Sequence, residues 1–532
     1  MTDVMASTPP VLHGPSEKER KYDRQLRLWA ASGQAALESA NILLVNSGSG
    51  TVGVETLKNL VLPGIGRFTI ADQAIVRHED LGVNFFLDES SLGELRAKAC
   101  TNFLVELNPE VQGNWYPKSE GPFNLQQLLT NSPVFTIILY ALPLPEDQTK
   151  LLHDYARQHQ TPIMAVHSVG FYSYFKTTLP GSFPVVDTHP EETATTDLRL
   201  LAPWPELIDF AKDMTRNIDT LDNHEHGHLP LVVILLYHLD QWQQGHGGVY
   251  PTTYADKTIF RKTVSDAMRK DNPEGGEENF EEAVAAVMKH VTLPSIPSSL
   301  QQVFDYQHED PEDAKSNFWI IAGAVKKFYQ EHGCLPVPGG LPDMKAQSAV
   351  YIKLQNIYKD KARQDVRQVL NYAHNAPGGE EIDSPEVELF CKNARFIKLI
   401  NSEGGNAVRV DLIVDQELAN DEISAIAGPE MPLSLLPVYL ALAATSHVTT
   451  ASPNEILELI GQQAPKATSS ERFLKTAQEV SRAGGGELHN ISAVTGGMVA
   501  QEMIKVITKQ YVPIDNTCIF DGIESRCQVL RL

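Results

Sequence analysis

The chain has 532 residues, of which 44 are Lys or Arg and 67 are Asp or Glu, giving a net charge of −23. That length sets a prior of two or three domains, and so acidic a surface argues against nucleic acid and anionic membrane as general partners. The start, MTDVMASTPP, has neither the basic nor the apolar region of a signal peptide. The longest apolar runs fall short of the roughly 18 residues needed to cross a bilayer. Cys100, Cys334, Cys391, Cys518 and Cys527 are scattered and include no C-x-x-C pair. That usage fits a reducing intracellular setting, cytoplasmic and nuclear, with buried structural thiols and no thiolate metal site.

Residues 1–15 are expected to be a flexible lead-in. Ser16 to Glu19 has the S-x-x-E form of a capping box and can start a helix. In KERKYDRQLRLWAASG, Tyr22, Leu26 and Trp29 form an apolar stripe. Arg20, Arg24 and Arg27 form a second, cationic stripe, which is either a solvated face or one aimed at an anion.

The stretch NILLVNSGSGTVGVETLKNLVLPGIGRFTIAD at 41–72 organises the rest. Residues 42–45 are continuously apolar, as in a strand buried on both faces of a parallel sheet. Gly48-Ser49-Gly50-Thr51-Val52-Gly53 follows, then a helix over 51–60 and a strand over 68–70 closing on Asp72. Strand, glycine turn, helix and strand make a dinucleotide-fold βαβ unit. Gly48, Gly50 and Gly53 permit the tight turn and let backbone N–H groups approach a phosphate at the helix N-terminus. Asp72 stands where a Rossmann carboxylate accepts from ribose hydroxyls. Taken alone, these residues favour a nucleotide site over an empty scaffold turn.

Onward, a helix is expected over 91–107, a strand over 134–141, a helix over 146–158, and strands over 162–167 and 170–178. From about 179 the pattern becomes helical: 198–214, 229–243, 254–268, 279–289, 317–331 and 344–373. Residues 396–400 and 408–414 read as strands. The C-terminus returns to the first style, with a helix over 489–505 and a strand over 517–521. The fold class is therefore α/β, a mostly parallel sheet with helices on both faces, carrying a large, mainly α-helical insertion. The boundaries expected are 16–178 plus 485–532 for the sheet domain and 179–484 for the insertion.

Four stretches carry a resemblance: YDRQLRLW at 22–29, LKNLVLPGIGRFTIAD at 57–72, NFF at 84–86 and HNISAVTGGMVAQEMIKVITKQ at 489–510. Together they resemble the ubiquitin-like-modifier-activating enzymes. DLRLLAPWPEL at 197–207, ENFEEA at 278–283, IPSS at 296–299, FWIIAGAVKKF at 318–328 and LPDMKAQSAVYIKLQNIY at 341–358 narrow it. They are similar to the regulatory subunits of the heterodimeric activating enzymes of the neddylation pathway. The resemblance implies a half-enzyme with a Rossmann-like pseudo-adenylation domain. Its partner, the catalytic subunit, would bind ATP and magnesium and carry the acceptor cysteine for the modifier.

The resemblance also says which half this is. Active members follow the second strand with D-x-D and then S-N-L-N-R-Q-F. Here Ala74 replaces the second Asp, Asp80 the Asn of the S-N pair and Val83 the Arg, while Arg96 stands for a later lysine. Without those cations and donors, charge developing on the α-phosphate has nothing to stabilise it. The chain is thus expected to hold no cofactor and no metal of its own. Gly48, Gly50, Gly53 and Asp72 would be a vestigial turn, although an inactive site need not keep its glycines. Arg24, in Tyr22-Asp23-Arg24-Gln25, matches an arginine carried across to the partner's ATP. His228, Asp343, Met344, Tyr351, Ile352 and Asn356 match the partner interface. Two competing functions are a self-sufficient adenylating enzyme, motivated by the intact glycine turn, and a nucleotide-dependent oxidoreductase, motivated by Asp72 following Gly48. The oxidoreductase leaves the 22–29 helix and the C-terminal return unexplained.

Overall fold

The computed structural model describes residues 14–119, 123–191, 196–270, 276–308, 313–401, 410–428 and 432–532. The lead-in expected over 1–15 lies outside these residues except at its last two. The chain divides into two compact units, one running to Phe183 and resuming at Ile400, the other Pro184–Leu399.

The first unit is built on an eight-stranded sheet in the order β10-β9-β6-β5-β4-β1-β2-β3. The strands are β1 (Asn41–Val45), β2 (Arg67–Ala71), β3 (Gln112–Tyr116), β4 (Ile137–Ala141), β5 (Ile163–Val169), β6 (Tyr172–Thr178), β9 (Thr517–Asp521) and β10 (Arg526–Leu530). β7 (Ser182–Val186) and β8 (Ile397–Asn401) pair separately. β3, β2, β1, β4 and β5 are parallel, in the Rossmann order. β1 and β4 are buried at every position, which is why both read as unbroken apolar runs. β6 turns back antiparallel through Gly170-Phe171, with Gly170 at φ +56°, and β9 and β10 continue antiparallel.

Three helices of this unit position the site: α1 (Asp23–Ser39), α2 (Thr51–Val61) and α3 (Arg96–Leu107). A fourth, α4 (His489–Thr508), lies directly against α2. A Cβ on Gly496 would stand 2.8 Å from the Thr56 backbone nitrogen, so only glycine lets the two helices approach this closely. α1 is not straight: Trp29 and Ala30 leave helical geometry, and Ala30 sits at φ +56°.

The second unit is helical, with two apolar cores around Leu231–Leu239 and around Ile320–Phe328. Tyr358, fully buried, donates to the Leu198 carbonyl at 2.7 Å.

Several expectations need correction. The chain returns to the sheet at Ile400, not at 485, because Leu436–Ala443, Pro453–Gln463 and Glu471–Ala483 bury Leu440, Ile456, Phe473 and Val480 in the sheet's own core. The strand expected over 408–414 falls partly outside the described residues, and Val410–Ala427 is a helix. A short apolar run cannot by itself distinguish the two. The helix expected from 198 starts at Pro205, where proline's missing N–H costs nothing. The helix expected from 91 starts at Arg96, after a 3₁₀ turn at Glu89–Ser91.

Candidate functional site

The turn after β1 ends with Gly48 and Gly50 at φ +57° and +70°. A Cβ on Gly50 would fall 2.4 Å from the Asn46 amide nitrogen, and one on Gly53 would fall 2.7 Å from the Asn46 amide oxygen. Positive φ at Gly48 and Gly50, and packing on Asn46 at Gly50 and Gly53, favour glycine here whether or not a ligand is bound.

Asp72, at the end of β2, is 3% exposed and its carboxylate is fully engaged. Oδ2 accepts from Arg96 Nε at 2.7 Å and from Asn46 Nδ2 at 3.2 Å, and Oδ1 accepts from the Ala74 N–H at 2.9 Å. Arg96 comes from the first turn of α3 and is 2% exposed. Its Nη1 donates to the carbonyls of Gly48 at 2.8 Å and Ser49 at 3.1 Å, and lies 3.4 Å from Asp80 Oδ1. Burial works against the guanidinium charge, but Asp72 and Asp80 together raise Arg96 above its ordinary value. The carboxylate that would take a ribose is held by an internal cation.

The N-terminus of α2 is filled as well. Glu487, buried and just ahead of α4, accepts from the Thr51 N–H through Oε1 at 3.2 Å. Its Oε2 accepts from the Val52 N–H at 2.8 Å and from the Ser492 hydroxyl at 2.6 Å. A carboxylate thus sits on the amides where an anion would bind. Burial pushes the Glu487 carboxyl up, against the pull of Ser492, the two amides and Arg96. Val83 and its neighbours are pinned nearby: His489 Nδ1 donates to the Val83 carbonyl at 3.1 Å, and its ring stacks on Phe85 at 3.6 Å.

These residues do not fit ATP and magnesium. Asp72 is committed to Arg96, the anion position is taken, and Ala74 offers no ligand. Among the described residues no group of three His, Cys, Asp or Glu could hold a metal ion. The sequence reading missed Glu487, Ser492 and Asn46. Glu487 is 436 residues from Thr51, and only folding brings them together.

Arg24 is exposed near the start of α1. Tyr22 and Trp29 are buried and Leu26 is half-buried, so the apolar stripe seats the helix. Asp23 pairs with Arg27 at 3.0 Å, and Arg20 donates to the Pro15 carbonyl.

Of the expected interface residues, all in the second unit, Asp343, Ile352 and Asn356 are exposed, while Tyr351 and His228 are half-buried. His228 donates from Nδ1 to the His224 carbonyl at 2.7 Å and stacks on the His224 ring. Met344 is a correction: it is 7% exposed and packs in the unit's core, so it has little apolar area left to offer.

Burial raises the thiols of Cys100, Cys391 and Cys518, Cys100 and Cys518 to about 12, and that of half-buried Cys334 as well, whereas Cys527 is exposed, contrary to the expectation of a buried thiol there. The raised thiols are poor nucleophiles at neutral pH.

The ThiF family model matches residues 22–532. The NEDD8-activating enzyme E1 regulatory subunit of Xenopus laevis is 34% identical over 95% of this chain and 97% of its own. The Drosophila melanogaster protein of the same name is 35% identical over 99% of this chain and its whole length. That of Gallus gallus is 34% identical over 97% of this chain and 99% of its own.

Proposed function

The chain belongs to the ThiF family and, within it, to the NEDD8-activating enzyme E1 regulatory subunits. From that premise we propose that it is the non-catalytic half of a heterodimer that activates the ubiquitin-like modifier of neddylation. In this reading the catalytic partner binds ATP and magnesium, adenylates the modifier and carries the acceptor cysteine. This chain is inactive alone and required in the complex, in the cytoplasm and nucleus. Among the described residues no helix is long and apolar enough to cross a membrane.

The observation that carries this reading is the filled turn, with Asp72 held by Arg96 and the α2 amides held by Glu487. Self-sufficient adenylation has lost its motive, because positive φ at Gly48 and Gly50 and close packing on Asn46 at Gly50 and Gly53 account for the glycines without a ligand.

Arg24 gives this half its own part in the chemistry. Exposed on a helix anchored by Tyr22 and Trp29, its guanidinium reaches the partner's ATP. There a planar, permanently charged fork grips phosphate oxygens and stabilises charge developing during transfer. Asp343, Tyr351, Ile352, Asn356 and His228 belong to the partner interface.

The test is ATP–pyrophosphate exchange with modifier, by this chain alone, by the partner alone and by both. Exchange only when the partner is present is expected, and exchange by this chain alone refutes the reading. With all five cysteines replaced by serine, a folded complex still forms the modifier thioester.

A further inference from the structure

We propose that Glu487 is a built-in anion: it occupies the phosphate position at the N-terminus of α2 and so fastens α4 to the βαβ unit. The proposal rests on the reading of this chain as the half that binds no nucleotide, and explains how the turn is kept closed.

The first support is the contact itself. Two successive amides of one helix turn donate to the two oxygens of one carboxylate, at 3.2 and 2.8 Å. A phosphate at a helix N-terminus is held in this way. Ser492, on the first turn of α4, adds a third donor at 2.6 Å. The carboxylate therefore bridges the starts of two helices.

The second support is how Glu487 is placed. It follows Gly484-Gly485-Gly486, of which Gly484 and Gly485 have φ of +59° and +75°. A Cβ on Gly485 would lie 2.4 Å from the Thr449 carbonyl oxygen, so the chain can pass at that residue only as glycine. The Gly486 carbonyl accepts from the Gly170 N–H at 2.8 Å, and Glu487 forms a parallel bridge with Gly170, the turn residue between β5 and β6. Backbone on both sides thus delivers the side chain to the amides.

The third support is what is left over. The Thr51 hydroxyl and the Asn46 amide oxygen, in residues 1% and 6% exposed, have no protein hydrogen-bond partner. Buried polar atoms are nearly always satisfied. The Thr51 hydroxyl, on the residue whose amide Glu487 holds, is a donor left over beside the filled position, whereas the Asn46 oxygen is an acceptor and offers an anion nothing. Removing that carboxylate would bare two amides, the Thr51 and Ser492 hydroxyls and a positive helix end. The class of ligand such a cradle takes is inorganic phosphate or pyrophosphate.

The experiment uses the full chain and inorganic pyrophosphate as the probe, read by titration calorimetry and by Tm, with sodium chloride of equal ionic strength as control. The unaltered chain is expected to bind no pyrophosphate. Glu487→Ala should melt lower, bind pyrophosphate, and regain several degrees of Tm at about 100-fold its Kd. Glu487→Gln nearly keeps the volume but not the charge; its Thr51 and Val52 amides should exchange with solvent at least about tenfold faster than in the unaltered chain. That variant decides the matter if the alanine variant does not fold. Pyrophosphate binding by the unaltered chain overturns both this proposal and the non-nucleotide reading. A folded Glu487→Ala that ignores pyrophosphate, or a Glu487→Gln whose amides stay as protected as before, overturns this proposal alone.

Discussion

Arg96→Met tests whether the turn is a structural clamp. Methionine fills much of the same space but removes the charge and every donor. Asp72 and Asp80 would then stay buried without their cation, and the Gly48 and Ser49 carbonyls would lose a donor. Arg96 is 2% exposed, so solvent screening does not discount the pair. Removing one partner of a buried ion pair costs about 3–5 kcal/mol, because the other charge is left uncompensated. The lost carbonyl hydrogen bonds fall within that range rather than adding to it, since all four contacts share one guanidinium. A chain of two units need not melt in one step, so the assay is native-state hydrogen exchange read on peptides covering 41–61 and 489–508. The cost corresponds to exchange faster by about two to three and a half decades in both segments. Arg96→Met with Asp72→Leu removes both sides of the closest pair and should recover a good part of that, since deleting a whole buried pair is often close to neutral. Protection in Arg96→Met within about threefold of the unaltered chain, or a double variant no better than the single, would refute the clamp.

Arg24→Ala should leave the heterodimer assembled and slow ATP–pyrophosphate exchange by about 10²–10³, the loss typical of one charge-stabilising donor. Arg24→Lys should recover part of it, and an Arg24→Ala complex exchanging at the normal rate would leave the helix a structural role only. Ile352→Asp places a charge on a side chain that is 54% exposed, so the chain should fold normally but bind its partner at least about tenfold more weakly by calorimetry. Unchanged affinity would remove Ile352 from the interface. His167 on β5 is pushed by burial from 6.5 down to about 4, so it contributes stability that is complete above pH 6.5 and lost as pH falls through that window. About 3 kcal/mol is at stake in all, with roughly a third to a half of it gone by about pH 5.5. Urea unfolding of His167→Asn between about pH 7.5 and 5.5 should show a correspondingly flatter loss, and an identical slope would refute it.

The βαβ unit was legible in the sequence because its signals are local. A doubly buried strand is a run of apolar residues, a tight turn is glycine, and the helix shows its apolar side within eleven residues. The chemical deficits at Ala74 and Val83 were legible only through the family resemblance, which supplies the motif they depart from. β3 and β10 were not, because QGNWY and RCQVL are only partly buried and lack continuous apolar character. Gly113 in β3 looks like a strand breaker, yet any Cβ there would meet Val105 and Thr101 at 2.5 and 2.8 Å. Met344 reads as available apolar surface until the second unit's core closes over it. The position of residues 436–483 was settled by which apolar surface they cover, and the sheet's face is assembled from strands hundreds of residues apart. The filled turn is the extreme case. Composition and motif leave Gly48 to Gly53 open to phosphate, and what excludes it is a carboxylate delivered 436 residues later by a glycine run and a hairpin turn. A site's emptiness or occupancy depends on which groups converge on it, and that convergence exists only once the distant segment has folded back.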